Sequence, residues 1–212
     1  MPTIVIKPGI VLFHSFGKIQ AMPISDYPIL SFDSIEKWEE WFAKNHETAQ
    51  GVWLKFFKKN SGMQTITYDE ALDVALCYGW IDSQLKPFDE KAYLQKFTPR
   101  RSKSMWSKRN IEHIERLMKE GRMKPAGLKQ FEEAKHDGRM DAAYDKPSDM
   151  QMSEDFLQAL AKDKKAQAFF QTLNKANTYA IAWRLQTAKK PETRSRRMKQ
   201  LLEMLAKGEK LH

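Results

Sequence analysis

The chain has 212 residues, 42% of them hydrophobic and 30% charged, so it can bury a core and is not a disordered tail. Its 36 Lys and Arg against 27 Asp and Glu leave a formal net charge of +9, which attracts phosphates, nucleic acid and anionic lipid alike. The single cysteine, Cys77, excludes an intramolecular disulfide. The apolar run from Ile10 to Phe13 is too short for an export signal or a membrane span. We therefore expect a globular, cytoplasmic protein without a transmembrane segment.

Residues 1–27 mix Pro and Gly with scattered aliphatic residues and show no sustained period, which predicts an N-terminal extension without regular structure. Asp33 followed by Glu36 has the form of a capping box, and apolar residues at helical spacing then predict a helix as far as about Asn45. The alternation in Val52–Phe57 is typical of a strand with one buried face.

A second capping box, Thr67 with Glu70, predicts the start of another helix, and Gly79 is a suitable residue to end it. Trp80–Lys86 and Ala92–Phe97 follow as two strands of a hairpin. The first part of the chain is therefore predicted to combine helices with a small antiparallel sheet.

Beyond Ser104 the apolar residues recur at helical spacing, and Gly121 and Pro125 separate two helices. Pro147 and Ser148 mark a linker, after which Ser153 can cap a further helix. The predicted fold class is α+β and mostly helical. Its parts are an α+β lobe over residues 28–141, a linker over 142–152 and a helical C-terminal module over 153–212.

Five segments resemble the recurring motifs of the YdeI/OmpD-associated (bacteriocin-protection) family. They are Cys77–Asp82 (CYGWID), Phe97–Ser102 (FTPRRS), Trp106–Lys108 (WSK), Gly121–Gly127 (GRMKPAG) and Thr187–Arg194 (TAKKPETR). The resemblance covers roughly residues 28–212, and it identifies residues 153–212 as a module of the OmpD-associated type. It implies a role in stress or antimicrobial protection, and it implies no reaction that can be assigned to particular residues.

Three functional classes are consistent with these observations. The first is a non-enzymatic cytoplasmic protein of this family, which acts through a protein partner or an anionic ligand. The second is a module that binds nucleic acid or phosphate through the basic and aromatic segment 97–110. A small-molecule enzyme is the third.

The segment 97–110 is the best candidate for binding an anion. It carries basic residues without an acidic one, and it places Trp106 among them, a mixture that can neutralise phosphates and stack on a ring. The alternative is that Trp106 packs under a helix start while the basic side chains are solvated. The basic candidates are Arg100, Arg101, Lys108 and Arg109.

The strand that begins at Trp80 supplies two more candidates. Side chains alternate along a strand, so Trp80, Asp82 and Gln84 should project from one face. Asp82 would then meet Arg100 or Arg101, either as a structural ion pair or as a ligand-facing acid.

Other polar clusters give weaker signals. The basic run of residues 189–199 suits the solvated face of an amphipathic helix, with anion binding as the alternative. Tyr179 and Trp183 are four residues apart and are expected in the core. The five histidines lack the spacing of a metal site, and Cys77 is expected to be a buried hydrophobe, so we predict no catalytic residue, metal or cofactor.

Overall fold

A computed structural model describes residues 27–211 of the chain. Apart from Tyr27, the predicted N-terminal extension lies outside these residues. The described part is α+β and mostly helical, as predicted. Its elements in chain order are β1 (Ile29–Leu30), α1 (Ile35–Asn45), β2 (Val52–Phe57), a short 3-10 helix (Lys59–Ser61), α2 (Tyr68–Cys77), β3 (Trp80–Pro87), β4 (Ala92–Pro99), α3 (Lys108–Lys119), α4 (Pro125–His136), α5 (Glu154–Ala161), α6 (Lys164–Gln171), α7 (Lys175–Gln186) and α8 (Pro191–Ala206).

The sheet of the lobe is mixed rather than purely antiparallel. Its strand order is β1-β2-β4-β3, in which β2, β4 and β3 pair antiparallel, as the hairpin prediction requires. The edge strand β1 pairs parallel with β2, through Ile29 opposite Trp53 and Leu30 opposite Leu54. Two residues are too few to show a period of two, so the sequence pattern missed this strand.

The lobe core lies between the sheet and the helices α1 and α2. Val52, Leu54 and Phe56 alternate toward it from β2, and each is at most 1% exposed. Trp38 of α1 is fully buried, and its ring lies 4.4–5.8 Å from four other aromatic rings. Its indole N–H donates to the Ala71 carbonyl of α2 at 3.1 Å. Aromatic packing therefore fixes α1, α2 and the sheet to one another.

Lysine side chains cover the opposite face of the sheet. Trp53 points to this face and is only 5% exposed. Lys86 Nζ lies 4.2 Å from the centroid of its ring, and Lys96 Nζ lies 5.7 Å away. The apolar stems of these lysines shield the indole while their ammonium groups reach water.

The two predicted capping boxes have different outcomes. At α2 the box is complete, because Thr67 Oγ1 accepts from the Glu70 backbone N–H and the Glu70 carboxylate accepts from the Thr67 backbone N–H. At α1 the prediction was wrong, because the helix begins one residue later and Ser34 occupies the N-cap without a side-chain capping hydrogen bond. The Asp33 carboxylate instead accepts from Lys37 Nζ at 2.7 Å.

The four C-terminal helices α5–α8 enclose a second, separate hydrophobic cluster. Its buried members include Phe156 of α5, Ile181 of α7, and Leu201 and Leu205 of α8. α8 contacts the other three helices, so it is the central element of this module. Within residues 27–211, no helix is long and apolar enough to cross a membrane.

Candidate functional site

The start of α3 is fixed by hydrogen bonds to a distant segment. Ser107 is the N-cap, and its Oγ accepts from the Asn110 backbone N–H at 3.2 Å. Tyr144 pairs alongside, because its backbone N–H donates to the Trp106 carbonyl at 3.0 Å and its carbonyl accepts from Lys108 N–H at 2.9 Å. The segment that leads from the lobe to the helical module therefore runs directly beside the first turn of α3.

The same segment contacts the helical module. The Asp145 backbone N–H donates to the Gln186 side-chain carbonyl of α7 at 3.0 Å. The Tyr144 ring lies 5.9 Å from that of Trp183, also on α7, in an edge-to-face arrangement. Residues of α3, of the connecting segment and of α7 are thereby held around one space.

This space is a polar pocket of about 310 Å³. It lies at the lower end of the size range for small-molecule sites, which is about 300–1,000 Å³. Its walls come from β3, the starts of α2 and α3, the connecting segment and α7. The polar side chains that the site uses are Tyr68, Asp82, Arg109, Asn110, Tyr144, Lys146 and Tyr179.

Tyr68 and Asp82 form a hydrogen-bonded pair in the wall. The Tyr68 hydroxyl donates to Asp82 Oδ2 at 2.7 Å. Burial raises the pKa of Tyr68 far above its ordinary value, and the negative charge of Asp82 adds to this effect. Burial also raises the pKa values of Tyr144 and Tyr179. All three phenols therefore stay protonated at neutral pH and can donate hydrogen bonds.

Asn110 presents a buried amide to the pocket. The residue is only 6% exposed, and its backbone N–H is bonded to Ser107. Among the described residues its side-chain amide has no hydrogen-bond partner, although Asn110 lines the pocket. Buried polar groups in native proteins are nearly always paired with protein, water or ligand. The amide is therefore placed to bind whatever enters the pocket.

Two basic side chains, Arg109 and Lys146, line the pocket, and both are held by solvated carboxylates. Arg109 Nη2 lies 2.6 Å from Asp69 Oδ1, with the guanidinium 5.2 Å from the centroid of the Tyr68 ring. Lys146 Nζ lies 3.6 Å from carboxylate oxygens of both Glu112 and Asp149. Such exposed ion pairs contribute little free energy, so an incoming anion can replace the carboxylates.

Arg100 and Trp106, both predicted site residues, lie inside the lobe. Arg100 is 5% exposed, its guanidinium is stacked 3.7 Å from the Trp106 ring centroid, and Nη1 donates to the Met105 carbonyl at 3.1 Å. Burial lowers the pKa of Arg100 to about 10, so it remains a cation at neutral pH. Trp106 is 1% exposed, and its ring also lies edge-to-face with Phe131 at 6.2 Å. The ring is therefore packed in the core just before the start of α3.

The other predicted residues are divided between the pocket and the surface. Trp80 is a core residue, 2% exposed, whose indole N–H donates to the His46 carbonyl at 3.1 Å. Asp82 and Arg109 line the pocket. Arg101 is exposed. Lys108 is paired with Asp145 at 2.6 Å. The structure therefore brings together only two of the seven side chains that the sequence singled out.

The predicted alternation along β3 fails at the pocket. Asp82 is opposite Phe97 of β4, and the next paired residues are Leu85 and Gln95. Between these two pairs the chain moves three positions along β3 but only two along β4, so β3 contains a bulge. This bulge puts Asp82 and Leu85 on the same face, and Gln84 does not continue the series. Asp82 meets Tyr68 rather than forming an ion pair with Arg100 or Arg101.

Sequence reasoning missed most of the pocket. Tyr68, Asn110, Tyr144 and Lys146 were not singled out, and Tyr179 was expected in the core. They are widely separated along the chain, so no local spacing connects them. One usable signal was Ser107, since a good N-cap after Trp106 indicates a helix start at which neighbouring side chains collect.

The remaining candidates have structural contacts. Arg194 of α8 binds the Asp155 carboxylate and donates to Ser153 Oγ at 2.9 Å, and Arg197 donates to the Arg184 carbonyl at 2.7 Å. Cys77 is 2% exposed, and burial raises its pKa to about 11, which suppresses the thiolate at neutral pH. Residues 27–211 contain no group of three His, Cys, Asp or Glu side chains that could hold a metal ion.

The geometry defines a class of protein, an α+β lobe and a helical module with a polar pocket between them. Comparison with known families gives two matches, in separate parts of the chain. Residues 149–208 match the family described as bacteriocin-protection, YdeI or OmpD-associated, so the predicted resemblance is confirmed for this segment. Residues 30–130 match a second description, a domain of unknown function (DUF8412), and four of the five motifs lie in that range. No curated protein and no solved structure matches the chain.

Proposed function

We propose that this protein binds a small polar ligand in the pocket between its lobe and its helical module. The observation that carries the proposal is Asn110, a residue that is only 6% exposed, that lines the pocket, and whose side-chain amide makes no hydrogen bond within the described chain. Three tyrosines line the same space. A few convergent polar groups in a preformed pocket are typical of small-molecule recognition.

We infer that the site recognises its ligand rather than transforming it. The best acid–base candidate is the Tyr68 hydroxyl, which lies 2.7 Å from Asp82. Its strongly raised pKa holds the proton on the phenol at neutral pH, whereas a general acid or base works best with a pKa near the working pH. The pair therefore supports hydrogen bonding more than proton transfer.

The cellular role that we propose is protection, in the cytoplasm. The match of residues 149–208 to a family described by bacteriocin protection supports this role, and the presence of a single cysteine, which can form no intramolecular disulfide, supports the location. Deleting the gene should increase killing by a panel of bacteriocins, and the wild-type gene should restore survival. Restoration by an Asn110→Leu variant would show that protection does not depend on the pocket.

Phosphate or nucleic-acid binding through segment 97–110 is a second candidate function. Arg101 and Lys103 are exposed, and the described residues give them no ion-pair partner. The rings of this segment do not support base stacking, because Phe97 is fully buried and Trp106 is 1% exposed. The segment is thus better suited to phosphate contacts than to a stacked nucleic-acid strand.

The pocket can be tested with fluorine labels on tyrosine. The chain has six tyrosines, and Tyr68, Tyr144 and Tyr179 line the pocket while Tyr93 stacks on Phe56 elsewhere. We expect a library of small polar metabolites, screened against protein labelled with 3-fluorotyrosine, to contain compounds that shift the pocket resonances by ¹⁹F NMR. Tyrosine-to-phenylalanine variants assign each resonance.

Two controls make this experiment decisive. Asn110→Leu preserves the approximate size of the side chain and removes its amide, so it should weaken any genuine pocket ligand. Gln171→Leu, on the module helix α6, should not. A screen in which the pocket resonances never move, or move equally in the Asn110→Leu protein, would refute the proposed function.

A further inference from the structure

We propose that the pocket ligand is a small organic anion whose charged group binds at the N-terminus of α3, between Arg109 and Lys146. This inference rests on the proposed function, because it specifies the chemistry of a ligand in the same pocket. Four features support this position. The first two are the N-terminus of α3 and the amide of the buried residue Asn110. The others are the side chains of Arg109 and Lys146, which can exchange their carboxylate partners, and the position of Asp82, the one acidic residue among the described lining residues.

The first turn of α3 offers a free backbone donor. Lys108 N–H and Asn110 N–H are bonded to Tyr144 O and Ser107 Oγ, whereas the Arg109 N–H has no partner among the described residues. α3 is 12 residues long, so its aligned peptide dipoles place partial positive charge at this end. Unpaired N–H groups at such an end are suited to bind an anion.

Asn110 supplies the second observation, one that does not depend on the helix dipole. Asn110 is in the first turn of α3, the residue is 6% exposed, and it lines the pocket with a side-chain amide that has no partner in the described chain. The amide N–H₂ can donate to an anion oxygen beside the Arg109 backbone N–H. A buried donor that gains a charged acceptor forms one of the stronger hydrogen bonds in proteins.

The neighbouring charges decide where the anion binds within the pocket. The carboxylates that hold Arg109 and Lys146 are on solvated side chains, with 67% exposure for Asp69, 58% for Glu112 and 57% for Asp149. These carboxylates can be hydrated by solvent when an incoming anion pairs with Arg109 and Lys146 in their place. The Asp82 carboxylate repels an anion. It is bonded to the Tyr68 hydroxyl, whereas the Arg109 guanidinium lies over the ring of Tyr68, so we place the anion near Arg109 and away from Asp82.

This arrangement predicts a polar ligand with two different ends. The anionic group faces α3, and a hydrogen-bond donor at the other end suits the Asp82 carboxylate. The lining also includes the apolar residues Ile81, Met105 and Pro147, which suit a short carbon skeleton between the ends. The anionic group can be a phosphate or a carboxylate, since both accept several hydrogen bonds from N–H donors.

Three probes of similar shape separate charge from size: phenyl phosphate, benzoate and the neutral benzyl alcohol. By calorimetry on the full chain, at least one anion should bind about tenfold or more tightly than the alcohol, a difference of about 1.4 kcal/mol. Its affinity should fall as salt is raised from low to physiological concentration. The tighter of the two anions identifies the natural head group as phosphate or carboxylate.

Matched variants locate the site. Asn110→Leu and Arg109→Met should each reduce anion affinity severalfold, and Asp82→Asn should increase it because a repelling charge is removed. Arg196→Met removes an exposed cation on α8, distant in sequence from the pocket, and should have no effect. Melting temperatures show whether each variant is folded. Arg109→Met removes a solvated ion pair and a contact over the Tyr68 ring but leaves the core intact, so it keeps the test informative even if Asn110→Leu does not fold.

The outcomes separate the two proposals. If benzyl alcohol binds as tightly as the anions and shifts the labelled pocket tyrosines, the anion inference is wrong and the pocket function stands. Anion binding that leaves the pocket resonances unchanged, or that persists in both α3 variants, overturns the inference because the anion is bound elsewhere. Failure of all three probes to bind at millimolar concentration also overturns it, while the metabolite screen decides separately whether the pocket binds anything.

Discussion

Two basic segments of similar composition, residues 97–110 and 189–199, use their arginines in opposite ways. In the first, Arg100 is buried, stacked on Trp106 and bonded to one backbone carbonyl. In the second, Arg194 is partly exposed and is held by Asp155 and Ser153 of another helix. Both residues are structural, but one fills the core and the other connects two helices at the surface.

The comparison shows that a lack of acids in a sequence segment does not leave its charges free. Segment 97–110 has no acidic residue, yet Asp69 and Asp145 reach Arg109 and Lys108 from distant positions. The contribution of each arginine to the free energy of unfolding then depends on its burial, because a buried guanidinium loses hydration that an exposed guanidinium keeps. The predictions below test this difference, from the largest expected effect to the smallest.

Replacement of Arg100 should have the largest effect on stability. Arg100→Ala removes a long side chain from the face of Trp106, and we expect it to lower the free energy of unfolding by about 2–5 kcal/mol, the range for large-to-small changes in a core. Urea unfolding, followed by tryptophan fluorescence, would measure the loss.

Arg100→Met is the matched control. It keeps a long side chain over the indole but removes a buried charge that has no carboxylate within ion-pair distance among the described residues, so it should be much less destabilising than the alanine variant. If methionine costs as much as alanine, the charge itself is essential to the fold, and the role assigned to packing is wrong.

At the second segment, Asp155→Asn should have a smaller and pH-dependent effect. Arg194 and the Ser153 hydroxyl lower the pKa of Asp155 below its ordinary value of 3.8. The folded state therefore gains stability from this carboxylate above about pH 4, and the gain disappears as the pH falls through the lowered pKa. Because Asp155 is about half exposed, we expect a loss of only about 1 kcal/mol at neutral pH.

Thermal melts at several pH values would check both the sign and the window. The difference between wild type and Asp155→Asn should be constant near neutrality and should shrink toward zero in strong acid. Glu203→Gln is a suitable control on α8, because its contact with Lys199 is long, at 3.9 Å, and exposed. A difference that grows as the pH falls would contradict the ion-pair assignment.

Much of the fold was predictable, because local interactions decide it. Thr67 and Glu70 satisfy each other's backbone donors within four residues, so the sequence was sufficient to predict the start of α2. At α1 the same pattern failed, since Lys37 competes for the Asp33 carboxylate and a motif search does not weigh that competition. The hairpin strands were also predicted, but the bulge after Asp82 was not, because strand register depends on both partners.

The candidate site was less predictable, because it is assembled from remote parts of the chain. Tyr144 reaches α3 through backbone hydrogen bonds, which any residue type can form, so its sequence carries no sign of the contact. Trp106 was identified as important, but composition does not reveal whether a ring among arginines faces solvent or the core. Asn110 became a candidate only when its burial and its unpaired amide were known.

The last prediction concerns polyanion binding by the two basic segments, and its substitutions should leave stability unchanged. The exposed cations of the first segment that have no described ion-pair partner are Arg101 and Lys103. Their counterparts in the second are Lys189, Lys190 and Arg196, of which Lys189 and Arg196 make a matched pair of one lysine and one arginine. Each lost phosphate contact reduces the magnitude of the slope of log affinity against log salt by about 0.9 on duplex DNA. If segment 97–110 is the principal anion surface, Arg101→Ala with Lys103→Ala should flatten the slope by nearly two such steps without changing the melting temperature. The pair Lys189→Ala and Arg196→Ala should leave the slope unchanged.

The opposite result would assign polyanion binding to α8 and the residues before it. Equal small changes from both pairs would mean that the charge of +9 acts as a diffuse field, in which no single surface is selected.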